Sequence, residues 1–365
     1  MKRQVFVAAG GGGDVIAAAM LAARGELNGP VNVATFSWDR LIVDPLPGPR
    51  SVDEFVGLVR LADGVHQVMP TSRTRAPAGS TLPRLAGAMS ARIFLLDAND
   101  GAVGLGRQLA GIARYVGADE LTLVDVGGDV VAAGNEPGLR SPLADTLCLA
   151  GCLRSGVPAS VVVCGPGLDG ELDEATVLAR WRTLGSRALP ALTEAHVKEF
   201  LPILDWHPSE ATGLLIRAAI GARGTVEVRD AGILVALSEH SASIGILDAS
   251  RVADGSSLFA PLADSASLSE ANERLRAVRG TTELDYERTK ALRGTESVVP
   301  DDARAALAVV DRLTEQARQR GVDYLTVRRL IELAGCRGTG VEVLAGLLKE
   351  CRPEQYNPPL WSVVR

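Results

Sequence analysis

Through the first 250 residues, short β-branched and apolar runs alternate with longer stretches of helical period. The runs that read as strands are Gln4–Ala9, Val31–Ser37, Arg92–Leu96, Leu121–Val126 and Ser160–Cys164, with Thr225–Arg229 and Ile233–Ser238 as a further pair. Between them the spacing predicts helices over Val15–Arg24, Ser51–Leu61, Gly104–Val116, Leu143–Ser155, Asp173–Leu184 and Thr193–Leu204. Strands that are apolar on both faces and separated by helices belong to a parallel sheet covered on both sides. The pattern therefore predicts an α/β fold, a Rossmann-like parallel sheet flanked by helices, over residues 1–250 as the catalytic domain. Residues 251–300 turn polar and charged and read as a connecting segment. From residue 301 to 365 the chain returns to helical periods, at Asp301–Arg320, Thr326–Gly335 and Gly340–Glu350. In the first of these, Ala305, Leu307, Ala308, Val310, Leu313 and Ala317 make an apolar face, so a helical module packed on the catalytic domain is expected.

Composition narrows the class. A chain of 365 residues with 47% apolar content can bury its own core without disulfides. Its five cysteines are odd in number and include no C-x-x-C pair, which predicts a reducing, cytoplasmic setting. The apolar start after Met1-Lys2-Arg3 is cut by four glycines and Asp14 before a signal-peptide core is complete, and no stretch of about 18 uncharged apolar residues follows. No membrane partner is expected. A net charge of −6 supplies no field for phosphodiester backbones. Arg328, Arg329 and Arg337 near the C-terminus are a small basic cluster, so no nucleic-acid partner is expected either. A cap over the pocket or a dimer contact, the latter making a homo-oligomer, is the expected use of the C-terminal helices.

Chemistry is concentrated where predicted strands end. Val5-Phe-Val-Ala-Ala-Gly-Gly-Gly-Gly-Asp14 runs from strand through four glycines into a helix. The amides of Gly11, Gly12 and Gly13 at the positive end of that helix suit a phosphate or carboxylate, and Asp14 suits a hydroxyl. Tight packing of the turn, with Asp14 as a helix cap, would account for the same residues. The turn lacks the third glycine of the dinucleotide fingerprint and the lysine of the P-loop. Asp125-Val-Gly-Gly-Asp129 ends a later strand and continues to Glu136 and to Ser141-Pro142, which also reads as a helix cap. Asp97 and Asp100 follow Arg92–Leu96, and Asp169 and Glu171 follow Ser160–Cys164. Carboxylates at so many strand ends predict one acidic crevice, with Asp125 and Asp129 as the catalytic pair. Of the four histidines, His207 and His240 stand nearest acids and hydroxyls and are candidates for proton transfer. No motif specifies a cofactor; Mg²⁺ is the cation such acids would accept.

Gly10-Gly-Gly-Gly-Asp14, Asp125-Val-Gly-Gly-Asp129, Ser141-Pro-Leu-Ala-Asp145, Leu168-Asp-Gly-Glu-Leu172 and Pro358-Pro-Leu-Trp361 together resemble an archaeal and actinobacterial family known as a domain of unknown function. The resemblance covers most of the chain and implies where the site lies, without a reaction. The residues themselves point to a hydrolase or transferase acting on a phosphorylated sugar or nucleotide, at the anomeric carbon of a glycosidic bond. An oxocarbenium-like transition state there gains from nearby carboxylates. A nicotinamide-dependent oxidoreductase and a nucleotide-sensing regulatory protein are the alternatives.

Overall fold

Nine strands of the computed structural model, which describes residues 3–24, 31–229, 231–292, 302–336 and 339–364, form one sheet. Their order is Arg187–Leu189, Ile244–Asp248, Ala159–Cys164, Glu120–Val126, Gln4–Ala8, Val31–Phe36, Ala91–Leu96, Val65–Val68, Val59–Ala62. The middle five, from Ala159–Cys164 to Ala91–Leu96, are parallel, and two strands at each end pair antiparallel. The chain starts at Gln4–Ala8 and steps outward to Val31–Phe36 and Ala91–Leu96. It then returns to the other side of the first strand for Glu120–Val126 and Ala159–Cys164. The order reverses between Gln4–Ala8 and Glu120–Val126, so the loops leaving these two strands diverge and open a crevice.

Successive side chains of the parallel strands enter opposite cores. Val5, Val7, Leu121, Leu123, Val161 and Val163 pack with the helices Gly101–Val116 and Pro142–Arg154 on one face. Phe6, Ala8, Val124, Val126, Val162 and Cys164 pack with Gly12–Arg24 and Glu210–Ala219 on the other. Two-sided burial is the reason these strands carry apolar residues without alternation.

Several elements depart from the sequence expectation. Ser51–Leu61 is not a helix but a single 3-10 turn, Val52–Glu54, followed by the short strand Phe55–Val56 and the edge strand Val59–Ala62. Asp63-Gly64 joins Ala62 to Val65 as a two-residue hairpin turn, a signal that outranks the apolar spacing. Thr193–Leu204 breaks into the helix Glu194–Val197 and a 3-10 stretch Lys198–Asp205 around Pro202. The strands Gly224–Val228 and Ile233–Leu237 leave the main sheet and begin a second one, ordered Ile233–Leu237, Gly224–Val228, Tyr324–Thr326, Leu360–Ser362, Tyr356–Asn357.

The C-terminal part is thus helical in Ala303–Gln319, Val327–Leu333 and Thr339–Cys351, but its three strands complete that second sheet. The buried face of Ala303–Gln319 is Ala306, Val310, Thr314 and Ala317, while Ala305 and Ala308 are exposed. Trp361 is fully buried against it and its indole N–H donates to Thr314 Oγ1 at 2.9 Å. Asp301, with which the first expected helix opens, lies outside the described residues, as do Arg337 and residues 293–300 of the expected connecting segment. The polar stretch after residue 250 forms helices that include Leu268–Arg279 and Glu283–Ala291, and Leu275 and Leu284 join the core of the main sheet. Among the described residues no helix is long and apolar enough to cross a membrane.

Candidate functional site

The crevice where strand order reverses is lined by the glycine turn and by acids delivered from separate loops. Asp14 enters from the first turn of Gly12–Arg24, and its Oδ2 accepts the Gly10 N–H at 2.7 Å. Asp125 is the penultimate residue of Glu120–Val126, and Asp129 opens the 3-10 turn that follows. Between them Gly127 and Gly128 take φ of 122° and 112°, a region closed to branched side chains. A Cβ on Gly127 would run into the Asp169 carboxyl, so the glycine pair lets the 125–129 and 165–171 loops meet. Asp145 points in from the helix Pro142–Arg154 and Asp169 and Glu171 from the loop after Ala159–Cys164.

Two groups of three acids place one oxygen each within 4.8 Å of one another: Asp14, Asp125 and Asp145, and Asp129, Asp169 and Glu171. These are the residues that could hold a metal. Asp125 and Asp129, which hydrogen-bond through their carboxyls, belong to different groups and so connect them.

Burial dominates the electrostatics. It pushes Asp125, Asp129 and Asp145 well above the usual carboxyl range, and their mutual repulsion adds to it. Asp14 and Asp169 rise to about 7, again through desolvation; the Gly10 N–H and Arg40 hold the first back, while Glu171 pushes the second further up. Glu171 goes the other way. Burial works against its charge, but Arg229 at 3.0 Å, the Ser141 hydroxyl, and the Arg140 and Ser141 amides at 2.6 and 2.9 Å outweigh it. His207 is buried and, with Arg84 nearby, falls to about 3, so it is a neutral imidazole. Its Nδ1 accepts the Ser209 N–H at 3.2 Å and its Nε2 has no partner.

The glycine turn is more closely packed than an open anion cradle. Gly10, Gly12 and Gly13 line the crevice; Gly11 is buried and does not. A Cβ on Gly12 would stand 2.8 Å from Thr81 Oγ1, and one on Gly13 would meet the Ser209 side chain. Ser141 lines the crevice but makes no helix-cap bond, because its hydroxyl is turned to Glu171.

Four expected residues lie elsewhere. His240 is at an exposed turn, 3.7 Å from Glu239. Asp97 accepts the Val52 and Asn99 amides at 2.9 Å each and braces its own loop, two strands from the reversal point. Asp100 pairs with Arg107 on the surface, and Glu136 accepts the Ala133 and Gly134 amides.

Other lining residues were not expected from the sequence. Asp39 and Arg40 follow Val31–Phe36 in the same strand-end position as the other acids, a signal that was available. Asp39 accepts the Thr81 hydroxyl at 2.7 Å and the Thr81 amide at 3.1 Å, and burial lifts it to about 6. Asp145 is an acid within an otherwise apolar helix, also a legible sign. Glu283, Arg229 and Arg328 arrive from distant segments with no local signature. Arg328 is held by Glu210 at 3.2 Å and Arg329 by Glu227 at 3.0 Å, so these two arginines face inward.

Residues 5–291 match the model of a family described as a protein of unknown function (DUF1152). No curated protein and no solved structure matches the chain.

Proposed function

The chain belongs to the DUF1152 family, and from that premise we propose an enzyme that hydrolyses or transfers at the anomeric carbon of a phosphorylated sugar or nucleotide, on a Rossmann-like sheet. The observation that carries the reading is the gathering of buried acids with unlike proton affinities at one strand-order reversal. Asp129, held protonated by burial and by Asp125, donates its proton to the leaving group. Asp169, near 7 and with one unpartnered oxygen, serves as the partner base for the incoming nucleophile. Asp14 and Asp125 receive sugar hydroxyls. The phosphate lies toward the exposed Arg40 and the N-terminal end of Gly12–Arg24, whose dipole favours an anion.

The test is incubation of the purified chain with a panel of nucleotides and sugar phosphates, following release of base or reducing sugar by chromatography. One or more members should be cleaved at the glycosidic bond, and Asp129→Asn should slow that cleavage by a factor on the order of 10² or more. Phosphate release with every glycosidic bond intact would replace this reaction with a phosphatase.

A further inference from the structure

We propose that Asp14, Asp125 and Asp145 together bind one divalent, oxygen-preferring cation of the Mg²⁺ or Mn²⁺ kind. The inference deepens the proposed function, on whose cleft it rests, by placing a cation where substrate hydroxyls or phosphate oxygens reach it.

Spacing is the first ground. The three ligand oxygens lie within 4.8 Å of one another. Around a six-coordinate ion, opposite oxygens are separated by twice the metal–oxygen distance, about 4.2 Å for Mg²⁺ and about 5 Å for Ca²⁺. That bound lies inside the Ca²⁺ span and slightly above the Mg²⁺ one, so three oxygens of this set reach one coordination shell with at most a small inward rotation of the side chains.

The second ground is independent of acid clustering. Asp125 Oδ2 and Asp145 Oδ1 have no hydrogen-bond partner, on residues 2% and 3% exposed. A buried acceptor without a partner is costly, and two such acceptors on two acids of the same close-set group call for a cation. Asp14 is oriented by the Gly10 N–H on its Oδ2.

The donors are all carboxylates, which select hard cations. Cys148 neighbours the group, but it is directed to the Ala9 carbonyl at 3.5 Å, and burial holds it as a thiol. The second acid group has similar spacing but not the same freedom. Both Glu171 oxygens are engaged, by Arg229, Arg140 and Ser141, and a cation there would have to displace the guanidinium. Among the described residues, one cation in this crevice follows.

The test uses the full chain after EDTA treatment and desalting, with bound Mn²⁺ measured by equilibrium dialysis and electron paramagnetic resonance without substrate. One Mn²⁺ per chain is expected. Asp145→Asn and, as a second variant, Asp125→Asn should each weaken binding at least ten-fold while circular dichroism stays native. Asp169→Asn should retain the site. Absence of Mn²⁺ binding in the wild type, binding undiminished in both Asn variants, or equal loss in Asp169→Asn would overturn the proposal. A protein that binds Mn²⁺ but cleaves no glycosidic bond keeps the cation site and loses the proposed reaction. Full cleavage in EDTA without Mn²⁺ binding does the reverse.

Discussion

Asp145 stands in an apolar helix beside Asp14, Asp125 and Asp129, where each negative charge raises the cost of the others. Such an arrangement is unfavourable in the absence of a counter-charge. In EDTA, Asp145→Asn should therefore be more stable than wild type by about 1–2 kcal/mol, since stability gained at the expense of function marks a functional site. Urea melts decide this, and a destabilised variant would make Asp145 a structural residue. Asp39 offers a pH test. Its carboxyl has an ordinary value of 3.8 and lies near 6 when folded, so the folded chain holds a proton that the unfolded chain has lost between those limits. Its contribution is fully present below pH 3.8 and is lost as the pH rises through 6. Comparing Asp39→Asn with wild type, the stability difference should shift toward the variant by on the order of 3 kcal/mol between pH 3.5 and 7.5. A difference that stays constant with pH would show that Asp39 titrates normally.

At the scale of elements, the glycine turn sets how closely the helices Gly12–Arg24 and Glu210–Ala219 approach. Gly13 faces Ser209, which caps the second helix through the Thr212 amide at 3.4 Å, and Thr212 in turn donates to the Gly13 carbonyl at 2.9 Å. A methyl on Gly13 has no room while Ser209 keeps its side chain. Gly13→Ala should cost about 1–3 kcal/mol through overpacking, and Ser209→Gly in the same chain should recover part of that loss. Thermal unfolding of the two single variants and the double variant gives the coupling; strictly additive effects would mean that the two positions do not meet.

For the whole molecule, the C-terminal part is tied to the crevice by buried ion pairs. Glu210, at the start of Glu210–Ala219, receives Arg328, the Thr326 hydroxyl and the Arg229 amide, which together hold its carboxyl below the usual range against the effect of burial. Glu210 is 8% exposed, and Arg328→Met would leave its carboxylate without its ion-pair partner. A loss of about 3–5 kcal/mol is expected, read by urea unfolding, because breaking a buried pair strands the remaining charge. Glu210→Gln together with Arg328→Met should lose less than Arg328→Met alone. Similar stability in both would place the pair in solvent-like surroundings.

Local pattern in the chain determined the parallel core strands and most of the helices that cover them. The reason is that two-sided burial writes itself into the residues as uninterrupted apolar runs. It also determined that acids would follow those strands, and Asp14, Asp125, Asp129, Asp169 and Glu171 do gather in one crevice. The Asp63-Gly64 hairpin and the Asp39-Arg40 strand end were equally legible, because turn chemistry and strand-end position are local properties. Tertiary structure decided the rest. Asp97 and Asp100 occupy the same kind of position in sequence as Asp125 and Asp129, and only the strand order moves them away from the reversal point. Glu283 and Arg328 reach the crevice from 154 and 199 residues beyond Asp129. Pairing of Tyr324–Thr326 with Gly224–Val228 is likewise a contact between distant segments. No short-range period encodes such contacts, since their energy comes from surfaces that exist only after the sheet has formed.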